Sequence, residues 1–235
     1  MSPGATATLA AGAAVSAMAW AVRGRSSTVF APSIWRARPG RKAIALTFDD
    51  GPSPATPALL RLLHQYRIPA TFFQVGGNVQ AYPEVSREVL AGGHEIGNHS
   101  QTHPNFALRP PSFITAEFAR AQETIAETTG RKPSLLRAPF GVRWFGFRAM
   151  QQGLGLTGVM WSIIGRDWKL SAEAIASRVA CRAGDGDIIC LHDGRGTLKD
   201  PDVEPTLEAV RRIIPILLEK GYHFETVTQL LCPLK

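Results

Sequence analysis

No acidic residue occurs in the first 48 positions of this 235-residue chain, although Arg23, Arg25, Arg36, Arg38, Arg41 and Lys42 all fall there. A good part of the net charge of +7 therefore belongs to a solvated basic leader and not to an extended basic face. Cysteine is scarce. Cys181, Cys190 and Cys232 form an odd set without metal-ligand spacing, which excludes a disulfide framework and leaves the fold to stand on its core. Zinc-finger, basic-zipper and aromatic RNA-binding signatures are missing, so no nucleic-acid partner is expected. Gly76-Gly77-Asn78 lacks the Rossmann and P-loop frames, which argues against a nucleotide site. What is present, 45% hydrophobic and 19% charged residues, is the balance of a soluble globular protein with ample length for one core.

Residues 5–22, ATATLAAGAAVSAMAWAV, carry no charge and would make an apolar helix of about 27 Å at about 1.5 Å per residue. Ala17-Met18-Ala19 resembles a signal-peptidase site, yet no Lys or Arg precedes the apolar stretch. Basic residues after it would favour a cytoplasmic C-terminal side if it were a span. A cleaved leader, a membrane tether through residues 5–22 and a soluble arm all stay open. The expected division is a leader over 1–41 and a catalytic domain over 42–235, at the cell envelope or secreted, with a cytoplasmic location also open.

Strand-like and helix-like segments alternate beyond the leader. Strands are expected at 43–48, 69–75, 94–98, 134–137, 156–161, 187–191 and 222–227, and helices at 55–66, 83–91, 113–129, 143–152, 171–181 and 204–220. Ser112 and Gly130 mark the ends of the third helix, and Leu207, Val210, Ile214, Leu217 and Leu218 mark one face of the last. This alternation predicts an α/β fold, a distorted (β/α) barrel of about seven parallel strands. In such barrels the chemistry lies at the C-terminal ends of the strands.

Chemically useful residues fall there. Asp49 and Asp50 end the first strand in TFDDGP, His99 and His103 follow the third in HSQTH, and Arg137 closes the fourth before APFG. Asp167-Trp168 follow the fifth run, and His192 ends the sixth in CLHD. Two imidazoles four residues apart converge on one cation if the segment turns, and Pro104 points to an irregular turn. With an aspartate from another strand end they form a two-His, one-Asp set that suits zinc and leaves open positions. Cobalt, nickel and manganese stay open, because ligand type selects among these metals poorly.

TFDDGP, HSQTH, RAPFG, RDW and CLHD, in this order, resemble the five motifs of the polysaccharide deacetylases, the nodulation-factor deacetylase homology domain or carbohydrate esterase family four. The resemblance covers about residues 42–231. It implies a distorted barrel and metal-dependent removal of acetyl groups from N-acetylated amino sugars. By the same resemblance Asp50, His99 and His103 hold the metal, Asp49 is the general base and Arg137 fixes it. The Phe140 backbone N–H faces the oxyanion, His192 protonates the leaving amine, Asp167 orients His192, and Trp168 walls the pocket.

Departures from the family pattern are confined. Phe140 stands where the family often has Tyr, Ile164 where the fourth motif often has a second Asp, and Cys190 where the fifth usually has Leu. Cys190 is two residues before His192, so both face one side, and a small apolar thiol can fill the wall near the acetyl methyl. His94 is expected to be a structural hydrogen-bonder, and His64 and His223 are expected outside the chemistry; Trp144 and Phe145 are weak candidates for stacking on a sugar. Chitin oligomers, peptidoglycan and related envelope glycans are the expected substrates. The alternatives are an acetyl xylan esterase, an imide or formamide hydrolase of the same barrel, and an inactive carbohydrate-binding relative. An intact ligand, base and acid set argues against the last two.

Overall fold

Apolar runs too short for helices build the centre of the molecule. A computed structural model describes residues 3–232. After helix α1 (Pro3–Arg23) and an irregular stretch, the chain runs β1 (Ala43–Asp49), α2 (Thr56–Tyr66), β2 (Thr71–Gln74), α3 (Gly76–Ala81), α4 (Pro83–Ala91) and β3 (Glu95–Asn98). It continues with α5 (Pro111–Thr129), β4 (Leu135–Leu136), α6 (Phe147–Leu154), β5 (Thr157–Gly158), β6 (Ile163–Ile164) and α7 (Ala172–Ala180). The last elements are β7 (Ile188–His192), α8 (Glu204–Glu219), β8 (His223–Phe224) and α9 (Val227–Leu231).

The strands are parallel in the order β5-β4-β3-β2-β1-β7-β6, with β8 paired to the start of β1. Every residue of β1 is buried, as expected of a parallel strand covered on both faces. Its alternate residues separate two cores. Ile44, Leu46 and Phe48 join Phe72, Leu59, Leu63, Ile213 and Leu217 under the helices, whereas Ala43 and Ala45 join Phe73, Val159, Ile188, Val227 and Leu230 inside the curled sheet. The small alanines leave room there for Phe73 and for α9.

The sheet is an incompletely closed barrel, and the N-terminal stretch joins it beside β5 and at the start of β7. Ile34 bridges Val159 in parallel, and Arg36 bridges Asp187 in antiparallel. The Arg36 Nε lies 2.6 Å from Asp187 Oδ1. Among the described residues no helix is long and apolar enough to cross a membrane.

Several boundaries differ from expectation for local reasons. Helix α5 begins at Pro111 with Pro110 in the cap position; proline without an N–H suits a first turn, and Ser112 caps nothing. Helix α6 starts at Phe147, because Arg143 is sunk elsewhere and Gly146 turns the chain at φ 87°. The single strand expected at 156–161 is β5 alone; the chain leaves the sheet at Met160–Ser162 and rejoins it as β6 beside β7. On α8 the buried face takes Ala209 and Ile213, while Leu218 is exposed.

Candidate active site

Register puts functional side chains at one height. Asp49 pairs with Phe73 of β2 and with His192 of β7, and Asn98 pairs with Leu136, the residue before Arg137. The expected carboxylates and imidazoles therefore meet above the same edge of the sheet. A cleft of about 470 Å³ collects Asp49, Asp50, His99, His103, Phe140, Trp168, Cys190 and His192. Arg137 and Asp167 lie beneath it, buried, and reach it through the residues they hold.

Asp50, His99 and His103 form the candidate metal site. Asp50 Oδ1 is 3.0 Å from His103 Nε2 and 3.3 Å from His99 Nε2. The Nδ1 of His99 is 2.7 Å from the Arg137 carbonyl, which only accepts, so Nδ1 carries the proton and Nε2 presents a lone pair. Asp50 Oδ1 is itself buried with no aligned donor. The ligand atoms of the three residues all lie within 4.8 Å of one another, a grouping that suits a cation bound by two imidazoles and a carboxylate.

The surrounding turns hold this set in place. Asp50 (φ 73°) and His103 (φ 57°) both lie in the left-handed region, as an irregular turn before Pro104 requires. Gly196 N donates to Asp50 Oδ2 at 2.8 Å. Asn78 Nδ2 donates to the carbonyls of Asp50 and Gly196, both at 2.8 Å. The Gly76 and Gly77 N–H groups donate to the Ser100 and Gln101 carbonyls, so the segment with no nucleotide frame braces the histidine turn. Gly51 is obligatory by contact, because a Cβ there would sit 2.2 Å from Asp193 Oδ2.

Asp49 differs from its neighbour in every contact. Its Oδ1 is 2.6 Å from Nη1 of Arg137, which also donates to Thr47 Oγ1 at 2.7 Å. Arg137 is fully buried, lies 4.1 Å from the Phe73 ring, and donates Nη2 to Met160 O at 3.1 Å. A buried guanidinium needs such a counter-charge and full hydrogen bonding. Asp49 Oδ2 faces the cleft, 3.5 Å from the Cys190 thiol. Burial, with the Asp49 charge adding, pushes that thiol well above its usual range, so Cys190 stays protonated.

His192 Nδ1 is 2.8 Å from Asp167 Oδ1. The other Asp167 oxygen accepts from His192 N at 2.8 Å and from Thr206 Oγ1 at 2.7 Å. Burial works against a charged imidazole here, but the bond and charge of Asp167, with Asp50 and Asp49 adding, push His192 up to about 9. For Asp167 burial is likewise outweighed, and His192, Thr206 and Arg195 hold it below the usual carboxylate range. Trp168 stands edge-on to His192 at 5.2 Å. Phe140 is left-handed (φ 57°) within a single 3-10 turn, its ring 4.8 Å from that of His103.

Other candidates stay out of the cleft. His94 accepts from Ala70 N at 3.2 Å, and burial pulls it down to about 4. His64 and His223 are exposed on α2 and β8. Trp144 and Phe145 pack on Phe30 at 5.1 and 4.9 Å instead of lining the cleft.

Sequence reasoning missed Arg23, Trp161, Arg195 and Gly196, which line the cleft. Trp161 had a signal, its place at the end of a strand candidate, but Arg23 had none within a leader. Asp193 was passed over inside CLHD. Its Oδ2 accepts from Thr56 Oγ1 at 2.6 Å, and burial, against that bond but helped by the Asp50 charge, pushes it up to about 7.

Comparison with known proteins agrees with this geometry. The polysaccharide deacetylase family matches residues 36–159. The chain is 35% identical over 200 residues to a chitooligosaccharide deacetylase of Bradyrhizobium sp. (strain ANU 289), covering 81% of this chain and 91% of that one. It is 37% identical over 202 residues to a peptidoglycan-N-acetylglucosamine deacetylase of Bacillus cereus, covering 84% and 92%. The crystal structure of a peptidoglycan N-acetylglucosamine deacetylase in complex with a hydroxamate superposes with a TM-score of 0.79 at 29% identity, covering 84% of this chain and 92% of that one. With the motif residues of five strand ends gathered at one cleft, the chain belongs to the polysaccharide deacetylase family.

Proposed function

We propose that the protein is a metal-dependent hydrolase that removes acetyl groups from the N-acetylated amino sugars of an envelope glycan. The observation that carries this reading is the division of labour between adjacent carboxylates: Asp50 faces two imidazoles, and Asp49 faces a buried arginine and the cleft. The relatives named for chitooligosaccharide and peptidoglycan support N-acetylglucosamine polymers as substrate, and the peptidoglycan deacetylases among them support work at the envelope or outside the cell.

Asp50, His99 and His103 would hold the cation, with zinc the best fit to a two-His, one-Asp set. Such a cation supplies Lewis acidity and lowers the pKa of water from 15.7 toward about 7, within reach of a carboxylate base. Asp49 takes the proton of the attacking water, and Arg137 keeps its other oxygen fixed during the transfer. The new C–O bond forms at the acetamide carbon, and the Phe140 N–H donates to the oxyanion. His192 then gives a proton to the nitrogen as the C–N bond breaks, releasing acetate and the free amine. Asp167 holds His192 in the charged, correctly turned form. Trp161, Ile164, Trp168 and Cys190 enclose the acetyl end in apolar surface.

The test is acetate release from N-acetylglucosamine oligomers and peptidoglycan by metal-stripped protein, with and without added zinc or cobalt. Asp49→Asn should lower kcat by at least about a hundredfold, the scale of a lost general base, while binding the same amount of metal. Acetate release that is independent of metal, or unaffected by Asp49→Asn, would overturn the reading.

A further inference from the structure

The cleft is completed by a residue from outside the motif-bearing strands. Arg23 ends α1 and lines the same cleft as Asp49, Asp50 and His192. It is there by construction. Ala21 and Val22 are buried against Phe106, Val142 and Phe147, and Val22 O accepts from Arg143 N at 3.0 Å. The Arg143 side chain, 2% exposed, spends its guanidinium on the segment that follows, donating to the carbonyls of Gly24, Ser27 and Ala31. Arg25 then lies over Trp35 and donates to Ser162 O, beside Trp161 of the cleft. The backbone on both sides of Arg23 is thus fixed to the barrel.

Arg195 also lines the cleft, but its charge is already met: it donates to Gly194 O at 2.8 Å and Asp167 O at 3.1 Å and lies 3.9 Å from Asp167 Oδ2. The carboxylates lining the cleft are Asp49 and Asp50 alone, one engaged by Arg137 and the other facing the two imidazoles. Arg23 has no ion-pair partner among the described residues. An exposed guanidinium without an ion-pair partner, on a rim without a free carboxylate, is matched to an anionic ligand.

We propose that Arg23 gives the cleft a cationic rim that selects N-acetylated glycans bearing a carboxylate on, or one sugar away from, the acetamido sugar that is cleaved. This rests on the N-deacetylase reading above and adds to it the charge class of the substrate. Arginine suits the task, because its planar fork meets a carboxylate with two parallel N–H groups. The leader helix then acts as part of the substrate site, and Arg23 as a specificity-determining residue.

The experiment uses the full, zinc-loaded chain and three oligomers of equal length. One is neutral N-acetylglucosamine, one carries a lactyl ether carboxylate on the acetamido sugar, and one alternates with a uronic acid. The wild type should favour a carboxylated oligomer in kcat/KM. Arg23→Ala should lower the carboxylated-to-neutral ratio about threefold to fivefold, mainly through KM, the scale of an exposed ion pair. Arg23→Lys should keep most of the ratio, and high salt should erode it. Whichever carboxylated arm carries the effect locates the charge on the same or the next sugar. A neutral preference in the wild type, or a ratio unchanged in Arg23→Ala, overturns the rim while leaving the deacetylase intact. No acetate from any oligomer overturns both.

Discussion

Asp49 and Asp50 are neighbours in one turn, yet the next layer of residues makes them different reagents. Asp50 looks toward His99 and His103; Asp49 is gripped by Arg137. The His192–Asp167 pair has a pH signature. The imidazole is pushed up to about 9 from 6.5 by Asp167 against the cost of burial, so its contribution to stability is fully present below about 6.5 and is lost as pH rises through about 9. As the proposed proton donor, His192 should set the alkaline limb of activity in the same range. Asp167→Asn removes the charge that holds this proton, and the alkaline limb of kcat/KM should move down by about one unit or more. A pH–rate profile of the two proteins checks it; an unmoved limb would mean another group controls the fall.

At the scale of elements, β1, β3, β4 and β7 each bring one part of the chemistry to a common height, because parallel register leaves no freedom to slip once the faces are buried. The stretch between α1 and β1 is held differently, by hydrogen bonds from one buried arginine. Burial pulls Arg143 below its ordinary range, yet its bonds to three carbonyls and to Ser33 Oγ keep it in place. Arg143→Ala strands buried carbonyls and should destabilise the fold by about 3 kcal/mol, the scale of a lost charge-assisted bond with its unsatisfied partners. Urea unfolding gives the magnitude. Faster amide exchange over residues 24–33 than in α8 would show that the loss is local to the clamp.

Across the whole molecule, the cation and the fold should stabilise each other. Asp50, just after β1, and His99 and His103, after β3, would share one ion, and they come together only when the barrel is assembled. Free zinc at a hundred times its Kd should add about 2.7 kcal/mol to the unfolding free energy. The rise in Tm on adding zinc to stripped protein measures this, and the rise should vanish in His103→Ala.

Much of this was legible beforehand. Phe48, Phe72 and Ile189 sit in short apolar runs whose length and spacing mark buried parallel strands, and chemistry at strand ends follows from the architecture. TFDDGP and HSQTH carried the metal and base candidates because local turn chemistry and residue type are written side by side. Other features depend on partners far away in the chain. Ser112 looked like a cap, but Pro111 begins the helix; Leu218 looked buried, but α8 turns Ile213 inward. Trp144, a weak candidate for stacking on a sugar, packs instead on Phe30, more than a hundred residues away. The sequence by itself determined the alternation of strands and helices, the chemical groups and their order. Only the tertiary structure decided that Arg23 from the leader stands at the same cleft, because its place depends on Arg143 binding carbonyls that no local pattern links to it.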